Sequence, residues 1–270
     1  MRCQNLEGRL AGRRSLWETC IGMGLGILLL VCWPITGHAA SAEAMFQRGL
    51  ETYRDAEYGP AADAFRESAE SRPGAGTLQN LGNAEWQQGA VGRAILAWEQ
   101  SLWLDPFNEN ARNNLRFARK SAQVEALDLA WYEVVSTWLP VNWWAGIAGL
   151  SLWVAVAMMI LPGILRWRRR TWHQAVAAFG LMVFLLTLPA HWGVHTRMRA
   201  GIIVQKGASL KLTPTEEGQV ITRLAAGEPL HCEGVRGKYV LIRAGSQALH
   251  GWVEQSQLGW LCPQRGRPGS

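Results

Sequence analysis

His191 and His195 stand four residues apart, a spacing that sets two imidazoles on one helix face within reach of a shared metal ion. No third ligand is in view, and the plainer reading is a pair of interfacial histidines beside Trp192. Of five cysteines, Cys3, Cys20 and Cys32 lie in the first 42 residues, which leaves Cys232 and Cys262. An even pair in an exported domain can close as a disulfide, or stay as two thiols if their Cα atoms are out of reach. Motifs for group transfer are missing from the sequence: it has no Walker-type phosphate loop, His-Glu-x-x-His, Cys-x-x-Cys or Gly-x-Ser-x-Gly. Gly22, Gly24 and Gly26 alternate within the apolar run from Ile21 to Trp33 and need no cofactor there. His173, His231 and His250 have no cysteine or serine nucleophile beside them in any recognisable motif. The expectation is a protein that binds rather than catalyses, with no cofactor.

The elements that would position a binding surface begin with two apolar spans, Trp143 to Leu165 and Trp172 to Val194, within segments 142–165 and 172–195. Each is long enough to cross a hydrocarbon core of about 30 Å. The connection at 166–171 carries Arg166, Arg168, Arg169 and Arg170 around Trp167. Four arginines in so short a loop should hold it in the cytoplasm, because basic residues in short loops resist translocation. Both flanking regions would then face the other side of a bacterial inner membrane, in the periplasm. Pro162 and Pro189 fall near the helix ends, and Ala145 and Gly149 give one small-xxx-small spacing for packing against a neighbouring helix.

Residues 1–42 read as a signal peptide. Arg2, Arg9, Arg13 and Arg14 precede the apolar run, and Ala40-Ser41-Ala42 offers a cleavage site that would start the mature chain near Glu43. An uncleaved anchor is the alternative, and Arg13-Arg14 faintly resembles a twin-arginine export signal. In each case Glu43 lies outside the cytoplasm, in agreement with the arginine loop.

Segment 43–125 contains an internal repeat. Gly49, Ala61, Phe65 and Pro73 recur as Gly82, Ala94, Trp98 and Pro106, each displaced by 33 residues. The pattern resembles the tetratricopeptide repeat, a pair of antiparallel helices in which glycine admits close approach and proline ends the second helix. A third copy begins at Asn114-Leu115 but places Arg116 at the close-packing glycine, which suggests a solvated capping helix. Two repeats and a cap are a minimal solenoid that should lean on another element. Segment 126–141 is the candidate: Trp131, Tyr132 and Trp138 suit a headgroup layer, or the core of the last repeat.

From 201 to 263 the pattern changes to short β-rich runs at Ile202–Val204, Ala208–Leu212, Val220–Leu224, Pro229–Glu233, Tyr239–Arg243 and Gly251–Val253. Gly218, Gly227, Gly234, Gly237 and Gly245 stand between or beside them, so a small closed or half-open barrel is expected. Pro214, Leu224-Ala225-Ala226-Gly227, Gly237 to Ile242 and Gly251-Trp252-Val253 resemble the marks of bacterial SH3-like domains, with Tyr239 where that family has Trp. The fold class is thus a multidomain membrane protein with all-α repeats, two transmembrane helices and a small all-β barrel.

The net charge of +6 does not point to nucleic acid. Glu43 to Leu129 carries 9 basic and 13 acidic residues and Ala200 to Ser270 carries 8 and 5, with no clustered basic stripe. Binding is expected instead on the concave face of the repeats. By position that groove includes Tyr53, Gln79, Asn83, Trp86, Asn113 and Phe117, whose amides and rings could hold a peptide, although Trp86 and Phe117 read equally well as core.

The order of leader, repeats, hairpin and barrel resembles the BatE-type bacterial aerotolerance proteins. That resemblance implies a non-catalytic scaffold in the bilayer that works with von Willebrand A-domain membrane proteins and a MoxR-type ATPase. The alternative is a cell-wall protein that binds peptidoglycan through the SH3-like domain.

Overall fold

The computed structural model describes residues 36–164, 171–245 and 249–263. By contacts the chain forms two units, Met1–Ser41 and Ala42–Ser270. Residues 1–35 of the expected signal peptide and the arginine loop at 166–170 lie outside the described residues.

Helices α1 (Thr36–Arg54), α2 (Tyr58–Ser71), α3 (Ala75–Gln87) and α4 (Val91–Leu104) form two helical pairs, and α5 (Glu109–Ala122) follows alone. The 33-residue displacement holds down to single hydrogen bonds. Ser68 Oγ donates to the carbonyl of Ala42 and Ser101 Oγ to that of Ala75, both at 2.7 Å. Both turns repeat as well: Ala56 N–H bonds Tyr53 O as Gly89 N–H bonds Trp86 O, and Ala56 and Gly89 both have positive φ, 59° and 75°. Ala42 is buried and accepts from Ser68, so the packed repeat includes it and begins one residue before the expected Glu43. Pro73 and Pro106 each stand two residues past a helix end, where a ring that cannot continue a helix belongs.

Glycine sets the spacing within each pair. A Cβ on Gly49 would lie 2.6 Å from the Phe65 ring, and one on Gly82 would lie 2.6 Å from Trp98 Nε1. Helix α5 takes Asn108 as its N-cap, with the side chain accepting from Ala111 N–H at 3.1 Å, and ends at Gln123 in the left-handed region. It buries only Ala111, Leu115 and Ala118 and turns Arg116 to solvent, as a capping helix does.

Seven strands follow among the described residues: β1 (Ala200–Ile203), β2 (Ala208–Lys211), β3 (Val220–Leu224), β4 (Pro229–Arg236), β5 (Tyr239–Ala244), β6 (Leu249–Glu254) and β7 (Leu258–Trp260). They form one antiparallel sheet in the order β3-β2-β6-β5-β4-β1-β7. The six expected runs all hold strands. β7 is additional, and at three residues it is too short for its alternation to stand out in the sequence. Gly237-Lys238 closes the β4–β5 hairpin in two residues, with Gly237 at φ +60°, the backbone such a tight turn demands. Gly234 instead marks a bulge inside β4.

The repeats lean chiefly on this sheet. Ala94, Ile95 and Trp98 of α4 share one apolar cluster with Ala111, Leu115 and Ala118 of α5, Ala200 and Ile202 of β1, and Leu261 and Cys262. Contact between α4 and β1 is so close that a Cβ on Gly92 would stand 2.6 Å from the carbonyl oxygen of Ile203. The aromatic segment plays a smaller part than the sequence suggested. It forms α6 (Trp131–Ser136), packed on the last helix where Gly193 faces the Tyr132 carbonyl, while Trp131 and Trp138 stay exposed rather than entering the repeat core.

Helices α7 (Val141–Ile164) and α8 (Thr171–Arg197) are the only two among the described residues long and apolar enough to cross a membrane. They pack on each other through small residues: a Cβ on Gly180 would lie 2.8 Å from Ser151 O, and Ala148, Ala155 and Ala177 are buried. Ala145 and Gly149 face outward and take no part in that contact.

Candidate binding surface

Three of the six groove residues come together. Asn83 on α3 accepts through Oδ1 from the Trp98 indole at 3.1 Å and from Asn114 Nδ2 at 2.8 Å, so it joins α3, α4 and α5. Trp86, one turn after Asn83, packs against Trp98 with ring centroids 6.0 Å apart and meets Phe117 edge to face at 5.8 Å. Phe117 is 61% exposed. Asn83 and the inner face of Trp86 therefore build the surface, and Phe117 presents it. Gln79 and Asn113 lie four residues before Asn83 and Phe117 on the same helix faces, half-buried and exposed respectively. Tyr53 is the counterpart of Trp86 in the first copy: half-buried, it packs on Tyr58 at 5.3 Å and on the Phe46, Leu50 and Phe65 cluster, as Trp86 packs on Trp98.

Beside this surface, Glu85 carries a buried carboxylate that Arg66 and Arg93 grip from two sides, Arg93 at 2.7 Å. Burial pulls the Arg66 guanidinium pKa down, but hydrogen bonds to Asp63 and Glu85 outweigh it and leave it raised. The sequence offered no sign of this trio, because a carboxylate next to Trp86 on a polar helix reads as solvated. Asn114 was legible only as the start of a third copy, not as the partner of Asn83.

A larger cleft of about 1110 Å³ opens between residues 123–133, the end of α8 and the sheet. Several of its charged groups are engaged within the chain: Glu233 pairs with Arg243 at 3.8 Å and His250 at 3.1 Å, Glu228 accepts from Ala225 N–H, and Glu133 from Ala130 N–H. His191, by contrast, donates from Nδ1 to Thr187 O at 2.9 Å, and His195 is exposed 6.3 Å from the Trp192 ring. Cys232 and Cys262 remain two buried thiols with no disulfide joining them. Cys232 lies in the core of the sheet and donates to Gly234 O at 3.7 Å, whereas Cys262 lies in the cluster shared with the repeats.

No protein-family model and no curated protein matches this chain.

Proposed function

We propose that this chain is a non-catalytic, membrane-anchored interaction scaffold whose repeats, of the tetratricopeptide type, hold an extended segment of a partner protein. The observation that carries the reading is the Phe117 ring, open to solvent and braced edge to face on Trp86, on helix faces that also carry the amides of Gln79 and Asn113. A partner side chain packs on the ring while the amides bond its backbone. Helices α7 and α8 hold the protein in the inner membrane, with the repeats and the SH3-like sheet in the periplasm. The contact of α4 on β1 supports the sheet as a buttress of the repeats, which favours a scaffold over a wall-binding module.

In this reading the chain takes a BatE-type role. Its partners are von Willebrand A-domain membrane proteins, and a MoxR-type ATPase is reached only through them, since 166–170 is too short to form a cytoplasmic domain. A photo-crosslinking residue in place of Asn113, activated in intact membranes, tests it. A discrete adduct that disappears when Phe117→Ser is added is expected. An adduct indifferent to Phe117→Ser would reject the surface, and absence of any adduct would reject the scaffold.

A further inference from the structure

Arg112, Arg116 and Arg119 recur at i, i+4 and i+7 and so share one face of α5. With Arg197, the last residue of α8, they line a cleft of about 530 Å³ whose apolar part includes Leu115 and Leu127. Four guanidinium groups line it with one carboxylate, Glu99, which Arg119 engages, and Glu133 behind the wall also acts on Arg197. Arg112 and Arg116 have no ion pair among the described residues. Arg197 is only 7% exposed, donates to Ser136 Oγ at 3.2 Å and lies 4.8 Å from the centroid of the Trp103 ring. The Nε atoms of both Arg197 and Arg119 are buried with no hydrogen-bond partner. Those atoms are closed off from the cleft; what points to an anionic acceptor is the excess of guanidinium over carboxylate on its lining, beside apolar surface where an unbalanced charge is costly.

The position of the cleft selects the anion. Arg197 ends α8 and Thr137, also on the wall, stands four residues before α7, so the cleft lies level with the outer ends of the hairpin. Exposed Trp138, Trp143 and Trp192 mark that level as the headgroup layer of a bilayer. We propose that the cleft binds the phosphate ester of an anionic phospholipid, its oxygens accepting from the arginine forks and its glycerol lying on the leucines. This rests on α7 and α8 crossing a bilayer, which retention of the protein in alkali-washed membranes checks separately.

The test is native mass spectrometry of the full chain in neutral detergent with phosphatidylglycerol, phosphatidylcholine of the same acyl chains, or inorganic phosphate alone. The wild type should prefer phosphatidylglycerol by about tenfold, the worth of one charge-assisted hydrogen bond. The preference should vanish in R112Q/R116Q, fall partway in R116Q, whose side chain is exposed, and survive in R168Q/R169Q. A preference that persists in R112Q/R116Q, or that disappears in R168Q/R169Q, overturns the site. Inorganic phosphate bound as tightly as phosphatidylglycerol overturns the lipid as its source.

Discussion

Gln100 Nε2 donates to the carbonyl of Trp260 at 2.8 Å, a hydrogen bond between residues 160 apart in sequence that ties the second repeat to the last strand. Around it Ile95, Trp98, Ala200, Ile202 and Leu261 are buried in one shared cluster. The repeats and the sheet must therefore lie on the same side of any membrane that α7 and α8 cross.

Removed from the repeats, the fragment 200–263 would expose Ala200, Ile202 and Leu261 to water, at about 25 cal/mol for each Å² of apolar area. It should fail to fold alone, whereas the full chain should lose repeats and sheet in one transition. Amide dispersion in a two-dimensional NMR spectrum of the fragment is the measurement. A well-dispersed spectrum would mean that the shared core is dispensable.

Glycines at the two repeat contacts should tolerate nothing larger. Gly49→Ala and Gly82→Ala each drive a Cβ to 2.6 Å from a buried ring and should cost about 1–3 kcal/mol, the usual range for overpacking. Gly146→Ala, with nothing within 4 Å, should be neutral or stabilise by up to about 1 kcal/mol. Ala56→Gly should also stabilise, since Ala56 holds the positive φ that Gly89 holds without a Cβ penalty in the other copy. Melting temperatures of the four variants, in one detergent, check the ranking.

These same positions explain what the sequence could disclose. The repeat was legible because Gly49/Phe65 and Gly82/Trp98 are complementary pairs, and such pairs must keep their spacing. The two helices long and apolar enough to cross a membrane were legible because length and apolarity alone mark them, and most strands because β-branched runs alternate with turn glycines. The contact of α4 on β1 was not, since Gly92 and Ile203 are 111 residues apart and neither has a side-chain type that announces a partner. On the candidate surface, helix position was enough to put Trp86 and Phe117 on one side of the repeats, where their rings meet. Tyr53 holds the equivalent position in the first copy, beside Phe65 as Trp86 is beside Trp98.

The Glu85 trio should respond asymmetrically. The Glu85 side chain is 2% exposed, while those of Arg66 and Arg93 are 40% and 52% exposed. Removing both arginines strands a buried charge, and R66A/R93A should cost about 3–5 kcal/mol. Glu85→Gln instead leaves two guanidinium groups that water can reach, and should cost less, about 1–2 kcal/mol. Chemical denaturation of the three proteins decides it, and equal losses would show that the arginines contribute packing rather than charge.

Sidedness follows from two independent arguments that one set of fusions can compare. The packing of α4 on β1 requires that reporters placed within the 123–130 connection and after residue 263 report the same compartment, whichever it is. Four arginines at 166, 168, 169 and 170 require that a reporter placed after Arg170 report the cytoplasm. The expected pattern is alkaline phosphatase activity at the first two sites and none at the third, with fluorescent-protein signal only at the third. Disagreement between the first two would break the shared core of repeats and sheet. Agreement between them with phosphatase activity at Arg170 as well would mean that α7 and α8 do not form a spanning hairpin, and the periplasmic scaffold argued from it would fall with them.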